Sequence, residues 1–196
     1  MKKKLILVAS PPACGKTYVS ELIANAVEHI VYLDKDDLSD LVRASFAAAG
    51  QEIDMDGEFY ANNLHAAEYS AILNIAFSAL RFESLILLNG PIGKEVRDTP
   101  YMKTLKDRAH EIGAELLLLW ISTPISVCHE RMKTRNSDRD ALKLQHWEDY
   151  VRSTNYTPPY ELEEENAVDQ FLVFDATDER TTRLSLEKAL QMILEV

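Results

Sequence analysis

Residues 9–17 of the chain read ASPPACGKT and connect two segments of different periodicity. The segment before them, residues 4–9, is a short apolar run ended by proline, which is typical of a strand buried on both faces. In the segment after them, residues 19–30, apolar side chains recur at helical spacing, which predicts a helix that begins near Gly15. A buried strand joined to a helix by a tight turn is the usual start of an α/β domain.

The turn itself matches most of a phosphate-binding loop, G-x-x-x-x-G-K-[ST], but Ser10 replaces the first glycine. In such loops main-chain N–H groups wrap the phosphates, the lysine reaches the outer ones, and the following hydroxyl ligates magnesium. Serine is acceptable in the first place if its backbone avoids a positive φ. The expected phosphate-binding residues are Ala13, Cys14, Gly15, Lys16 and Thr17. The alternative is an ordinary turn with a solvated lysine, and the strand and helix on either side favour the phosphate site.

Four further apolar runs of strand length follow, at residues 29–34, 84–90, 114–122 and 171–177. Helical patterns lie between them, and strands that alternate with helices predict a parallel sheet with right-handed crossovers. A chain of 196 residues with 46% hydrophobic residues can bury one good core, so we expect a single domain over residues 1–196. Residues 157–167, with two prolines and an acidic run, are expected to be irregular.

The charge balance limits the partners, because 21 Lys+Arg stand against 32 Asp+Glu, a net charge of −11. Such a surface repels nucleic acid and anionic membranes, so any anion must bind at a local basic site. No apolar run approaches the roughly 20 residues that span a bilayer, and residues 5–9 are too short for a signal-peptide core. The two cysteines lack metal-binding spacing, and we expect a cytoplasmic protein without a membrane partner.

Three acids, Asp34, Asp36 and Asp37, follow the second predicted strand. Ligands of open α/β sheets bind beyond the carboxyl ends of the strands. Asp34 and Asp36 are two residues apart and would project to the same side of an extended backbone. We expect Asp34 to orient water molecules around magnesium and Asp36 to accept a proton from a substrate hydroxyl. The alternative is that Asp36 or Asp37 caps the next helix, and one acid could do each.

A basic segment, HERMKTRNSDR at residues 129–139, stands out in this acidic chain. Arg131 and Arg135 are four residues apart and would share one face of a helix. Arginine suits a lid over phosphates, since its planar guanidinium binds oxygen atoms in pairs and stays charged. The alternative is a surface helix whose basic residues pair with neighbouring acids. We interpret the segment as a lid in which Arg131 and Arg135 neutralise charge on a transferred phosphoryl group.

In this order, the three segments resemble P-loop kinases of the nucleoside-monophosphate-kinase type. The likeness is greatest to the polynucleotide 5′-kinases and the small predicted kinases grouped with them. The Asp-x-Asp pair of Asp34 and Asp36 is also similar to shikimate kinase and the zeta-toxin kinases. The resemblance implies a three-layer α/β/α P-loop NTPase fold, with a five-stranded parallel sheet in the order 2-3-1-4-5. It also implies acceptor-covering helices at about residues 38–82, a helical lid at about 129–141, and adenine near Asp175.

The sequence departs from the resemblance at two informative positions. Ser39 occupies the place where the 5′-kinases carry an arginine that holds the acceptor phosphate, which weakens the nucleic-acid interpretation. Asn89 occupies the place where many P-loop enzymes have a magnesium-orienting aspartate, so either Asn89 or Asp34 would support the metal. Arg97, after the third strand, could bind an acceptor anion or serve only at the surface.

These features predict a kinase that uses ATP and Mg²⁺ to phosphorylate a small hydroxylated molecule. Two alternatives stay open: a regulatory module that binds or hydrolyses ATP without an acceptor, and a kinase of nucleic-acid 5′ ends. Neither the identity of the acceptor nor the oligomeric state follows from the sequence.

Overall fold

The computed structural model describes residues 2–90 and 93–195, with Asp138 and Arg139 described by their backbone alone. Its sheet has the strands β1 (Lys3–Ala9), β2 (Ile30–Asp34), β3 (Leu85–Asn89), β4 (Ala114–Ser122) and β5 (Gln170–Asp175). All neighbouring strands are parallel, and the order is β2-β3-β1-β4-β5. This order confirms the predicted sheet topology.

The α-helices of the described residues are α1 (Lys16–Ala26), α2 (Ser39–Ala48), α3 (His65–Ala79), α4 (Thr99–Glu111), α5 (Ile125–Arg135), α6 (Asp138–Gln145), α7 (Trp147–Ser153), α8 (Glu161–Glu164) and α9 (Glu179–Leu194). Short 3₁₀ helices span Lys35–Leu38 and Glu95–Arg97, and a π-helical turn spans Tyr60–Leu64. Within the part of the chain just defined, no helix is long and apolar enough to cross a membrane.

Two apolar clusters lie on opposite faces of the sheet, because successive side chains of a strand point to opposite sides. Leu5 and Leu7 of β1 belong to the cluster that contains the buried side chains of α3 and α4. Ile6 and Val8 belong to the cluster that contains those of α1 and α9. Helices therefore cover both faces, which confirms the three-layer α/β/α architecture.

The expectation for residues 157–167 was wrong in one respect, because the short helix α8 lies inside that stretch. Leu162 of α8 and Ala167 are both fully buried, at 0% exposure, in the cluster that contains α4. Burial of one leucine side chain contributes roughly 1.5–3 kcal/mol. That gain outweighs the weak helical preference of this proline-rich and acidic stretch.

Candidate functional site

The loop between β1 and α1 has left-handed backbone conformations at two positions. Gly15, the N-cap of α1, has φ 96° and ψ 17°, and Ala13 has φ 63°. This conformation is easy for glycine but costs other residues roughly 1–2 kcal/mol, and such strain concentrates at functional sites. Ser10 is not among the positive-φ residues, so the condition for replacing the first glycine is met. As the N-cap residue, Gly15 has no side chain that could cap α1, and a helix N-terminus of this kind attracts anions.

Lys16, the first residue of α1, is held at the carboxyl end of β3. Its Nζ donates a hydrogen bond of 2.7 Å to Oδ1 of Asn89. Asn89 is fully buried, and its Nδ2 lies 3.3 Å from the hydroxyl of Thr17. The motif lysine, the motif threonine and the residue that replaces the usual aspartate therefore form one hydrogen-bonded group.

Asp34 extends this group onto the next strand. In the β2–β3 ladder, Asp34 and Asn89 are directly paired, and Nδ2 of Asn89 lies 2.5 Å from Oδ2 of Asp34. The hydroxyl of Tyr32 also donates to this oxygen, at 2.9 Å. Sequence reasoning missed Tyr32, although its position two residues before Asp34 places both on the same face of β2.

Asp36 does not continue β2, so the expectation that Asp34 and Asp36 project together from an extended backbone was wrong. The chain turns into the 3₁₀ helix Lys35–Leu38 directly after the strand. Asp34 caps this helix, since its Oδ1 accepts a hydrogen bond of 2.9 Å from the backbone N–H of Asp36. The cap expected at Asp36 or Asp37 was wrong, because α2 begins after Leu38, whose side chain makes no cap hydrogen bond, and Asp34 instead caps the 3₁₀ helix before it.

The turn that carries Asp36 is anchored to the predicted acceptor-covering helices. Nζ of Lys35 lies 3.5 Å from Oδ1 of Asp36 and 3.1 Å from Oε1 of Glu68 in α3. The hydroxyl of Tyr60 donates to the other Glu68 oxygen. The Lys35 and Glu68 side chains are only 13% and 3% exposed, so this ion pair is much less screened by water than a surface pair. Tyr60 starts the π-helical turn, a feature frequent at functional sites.

Arg131 of α5 joins three segments around the phosphate loop. Its guanidinium donates to the carbonyl oxygens of Cys14 at 3.2 Å and of Ala176 at 2.8 Å, and it lies 3.4 Å from the hydroxyl of Thr123. A Cβ atom at Gly15 would lie 3.3 Å from Nη1 of Arg131. The arginine therefore holds the loop to the ends of β4 and β5 and lies next to Gly15.

Arg135, one helical turn later, is fixed by an acid in α6. It makes hydrogen bonds of 2.8, 2.8 and 2.6 Å to the two carboxylate oxygens of Asp140. Asp140 is 1% exposed, whereas Arg135 is 36% exposed. The proposed lid thus contains both predicted features: an arginine near the loop and an arginine paired with a neighbouring acid. The side chain of Arg139 lies outside the described part of the chain.

One cavity of about 380 Å³ brings most of the predicted residues together. The predicted residues that line it are Ala13, Gly15, Lys16, Thr17, Asp36, Arg131 and Arg135. Tyr18 and Lys143 also line it and were not predicted, and Asp140 was expected only as an acid with which the basic residues could pair. Three predicted residues, Cys14, Asp34 and Asp175, do not line the cavity. The Cys14 side chain is buried, and Oδ1 of Asp175 accepts the backbone N–H of Thr177 at 2.9 Å.

Arg97 lies next to the ring of Trp120, whose side chain belongs to the cluster that contains α3 and α4. The guanidinium carbon is 5.3 Å from the ring centroid. Arg97 also lies 3.4 Å from Glu161 and donates to the carbonyl oxygen of Thr157. These contacts attach the segment before β5 to the sheet, which supports the surface role over the anion-binding role.

No protein-family model and no curated protein matches the sequence, but solved structures match nearly the whole chain. A proposed kinase from Chloroflexus aurantiacus is 22% identical, with a TM-score of 0.61 and coverage of 98% of this chain and 99% of its own. Kti12 from Chaetomium thermophilum, solved with ADP-AlF3, is 17% identical, with a TM-score of 0.60 and coverage of 96% and 98%. The APS kinase of Mycobacterium tuberculosis, solved with AMPPNP and APS, is 15% identical, with a TM-score of 0.52 and coverage of 100% and 99%. Together with the sheet order and the loop geometry, these likenesses show that the chain has the P-loop kinase fold.

Proposed function

We propose that the chain is a magnesium-dependent kinase that transfers the γ-phosphate of ATP to a hydroxyl group of a small molecule. One observation carries the proposal: the phosphate loop with Lys16, the carboxylate of Asp36, and the lid residues Arg131 and Arg135 all line the same cavity. A binding or regulatory module needs the loop but not an acceptor base beside it, so this combination favours transfer over binding alone.

In the proposed reaction the acceptor oxygen forms a bond to the γ-phosphorus while the bond from that phosphorus to the bridging oxygen of ADP breaks. The hydroxyl proton moves to the carboxylate of Asp36, whose side chain is 65% exposed and can therefore reach an acceptor. Lys16 and the loop N–H groups bind the phosphates, and Arg131 and Arg135 balance the charge of the moving phosphoryl group.

The side chains beside the loop suit magnesium, which prefers oxygen ligands and few protein contacts. Thr17 offers a hydroxyl oxygen, and Asp34 offers a carboxylate that would act through water. Across residues 2–90 and 93–195, no group of three or more His, Cys, Asp or Glu could hold a metal ion by itself. When bound, magnesium would supply positive charge to the phosphates.

The solved structures of similar fold support the choice of nucleotide, since Kti12 was solved with ADP-AlF3 and the APS kinase with AMPPNP. The acceptor is proposed to be a small molecule because the net charge of −11 opposes nucleic acid. Ser39 is consistent with this choice, since a serine cannot provide the charge that holds a terminal phosphate.

Two substitutions test the proposal. Lys16→Ala is expected to weaken ATP binding and abolish turnover, whereas Asp36→Asn is expected to spare ATP binding and abolish transfer. Lys103→Ala, which removes a lysine that is 46% exposed on α4, and Asp37→Asn, next to the proposed base, are the matched controls. ATP binding is measured by displacement of a fluorescent analogue, and unchanged binding and turnover in Lys16→Ala would reject the site.

Labelled ATP incubated with pools of hydroxylated metabolites, antibiotics and nucleosides distinguishes the three functions. A new phosphorylated compound that Asp36→Asn no longer produces supports the kinase. Release of free phosphate alone supports a regulatory ATPase, and label on the 5′ end of an oligonucleotide supports a nucleic-acid kinase.

A further inference from the structure

The hydroxyl of Tyr32 lies inside the hydrogen-bonded group of the site, although no motif contains this residue. It donates to Oδ2 of Asp34 at 2.9 Å, and it lies 3.2 Å from Nδ2 of Asn89. A tyrosine hydroxyl is protonated at neutral pH, so it acts here as a hydrogen-bond donor.

The two oxygens of the Asp34 carboxylate serve different parts of the site. Oδ1 accepts the backbone N–H of Asp36 at 2.9 Å and so caps the turn that carries the proposed base. Oδ2 faces Tyr32 and Asn89, and Asn89 in turn accepts Nζ of Lys16. A carboxylate group is planar, so a rotation that moves Oδ2 moves Oδ1 as well.

We propose that Tyr32 is a positioning residue that fixes the plane of the Asp34 carboxylate and thereby couples the magnesium side of the site to the base Asp36. Neither Tyr32 nor Asp34 is among the described residues that line the cavity, and we assign Tyr32 a role through Asp34, which it contacts directly. This inference rests on the proposed function, because it assigns a role in the same transfer reaction. Outer groups of this kind typically change metal affinity or activity about 10–100-fold when they are removed.

The role of the Tyr32 hydroxyl follows from the donors that Oδ2 of Asp34 would keep if the hydroxyl were removed. Among the residues that the structure describes, two donors reach Oδ2, the hydroxyl of Tyr32 and Nδ2 of Asn89, and removal of the hydroxyl leaves the amide. Two donors from different side chains fix the direction of a carboxylate oxygen, whereas a single donor fixes it less. The carboxylate can then rotate, which displaces both its negative charge and the cap on Asp36.

Tyr32→Phe tests the inference, since it removes the hydroxyl and keeps the ring. The affinity for a fluorescent ATP analogue is titrated with and without Mg²⁺. The kcat and the KM for ATP are measured at saturating Mg²⁺, for transfer to the compound that the incubation with labelled ATP identifies. We expect Mg²⁺-free binding to be unchanged, the half-saturating Mg²⁺ concentration to rise about 10-fold or more, and kcat to fall by a similar factor. KM for ATP should change little. Tyr160→Phe, at a tyrosine that is 49% exposed against the ring of Phe171, is the control.

Each other outcome overturns the inference in a recognisable way. Wild-type values of both the Mg²⁺ response and kcat in Tyr32→Phe would show that the hydroxyl positions nothing. An equal loss of Mg²⁺-free and Mg²⁺-dependent binding, together with a lower melting temperature, would show a role in the fold alone. A wild-type protein that binds no nucleotide under either condition would reject the proposed function, and the inference with it.

Discussion

Asp34 and Asn89 occupy directly paired positions on neighbouring parallel strands, and their side chains meet at 2.5 Å. The usual acidic residue at the end of the third strand is replaced by a neutral amide, and a carboxylate stands one strand away instead. The amide donates to the carboxylate while its oxygen accepts from Lys16. The site thus keeps one negative charge beside the motif lysine but places it on β2.

This pairing predicts that the two side chains can be exchanged. Asp34→Asn should weaken Mg²⁺-dependent ATP binding and transfer, because the carboxylate is lost. Asn89→Asp should impair the protein differently, since two acceptors then face each other at 2.5 Å in a buried position, at a cost of roughly 1–3 kcal/mol. The double variant restores one amide and one carboxylate and should recover part of the lost activity.

The exchange is measured as a double-mutant cycle on kcat/KM at fixed free Mg²⁺ and on thermal stability. Side chains in contact typically show interaction energies of about 0.5–3 kcal/mol. The kcat/KM of the double variant should therefore be higher than the value obtained by multiplying the fractional activities of the two single variants. If the losses of kcat/KM in the single variants multiply to the loss in the double variant, the two residues act independently and their contact does not contribute to function.

Arg135 and Asp140 provide a second prediction, which separates charge from structure in the lid. Arg135→Ala leaves the carboxylate of Asp140, which is 1% exposed, without its partner. The loss of stability should approach, but not reach, the roughly 3–5 kcal/mol of a fully buried pair, since Arg135 is 36% exposed. Asp140→Asn keeps the guanidinium, so it should retain more transfer activity than Arg135→Ala if the arginine balances phosphoryl charge.

Arg152→Ala is the control for this pair. Arg152 also contacts an acid, Glu148, at 3.2 Å, but the two side chains are 71% and 87% exposed. Exposed pairs contribute roughly 0–1 kcal/mol. The free energy of unfolding, measured in urea, should therefore scarcely change in Arg152→Ala. The loss of transfer activity in Arg135→Ala and in Asp140→Asn is compared with the loss of unfolding free energy in each. If the two losses stand in the same proportion in both variants, Arg135 has only a structural role.

Much of the fold could be predicted from the sequence because its elements depend on local pattern. The apolar runs gave all five strands within about two residues, and Gly15 marked the start of α1. The helix α8 could not be predicted in this way, because it depends on where Leu162 finds a buried position. That position is created by α4 and the sheet, which are distant in sequence.

The candidate site also contains residues that could be predicted from the sequence and residues that could not. Lys16 and Thr17 belong to a motif whose chemistry requires those residue types, so the sequence sufficed to point to them. Tyr32 could not be found, because a tyrosine in a strand is usually a packing residue. The turn at Lys35 was also missed, since a run of aspartates has no periodicity that distinguishes a strand from a 3₁₀ turn.

The two cysteines give a third prediction, about reactivity. Cys14 of the phosphate loop and Cys128 of α5 lie with their sulfur atoms 3.5 Å apart, and both are buried, at 1% and 0% exposure. The hydrogen bond with Cys128, and then burial, raise the pKa of Cys14. A thiol with a raised pKa is a poor nucleophile. The hydrogen bond with Cys14 lowers the pKa of Cys128, but that thiol is fully buried and out of reach of a dye. A thiol-reactive dye should label neither cysteine in the native protein and both after denaturation, whereas rapid labelling of the native protein would show that the loop opens readily.

Asp169 gives the last prediction, on the pH dependence of stability. It precedes β5 and accepts the backbone N–H of Leu116 at 2.8 Å, and it lies 2.9 Å from His110 and 3.3 Å from Lys106 of α4. Burial opposes the charged form of this carboxyl, but the bond from Leu116, then that from His110 and the charge of Lys106, outweigh it and lower its pKa. A carboxyl with a lowered folded-state pKa contributes stability above its unfolded pKa of about 3.9, and this is lost as the pH falls through the folded value.

Asp169→Asn should therefore cost roughly 1–3 kcal/mol at pH 7, because the partners of the charged group remain. The difference from the wild type should start to shrink below about pH 4, where the carboxyl becomes protonated in the unfolded chain, and should disappear below the lower folded-state pKa. Urea unfolding at pH 7, 5 and 3 measures this, with Asp107→Asn, at an exposed position of α4, as the control that should follow the wild type throughout. A difference that stays constant from pH 7 to pH 3 would mean that the charge of Asp169 does not matter, and that only its hydrogen-bond geometry joins α4 to β4.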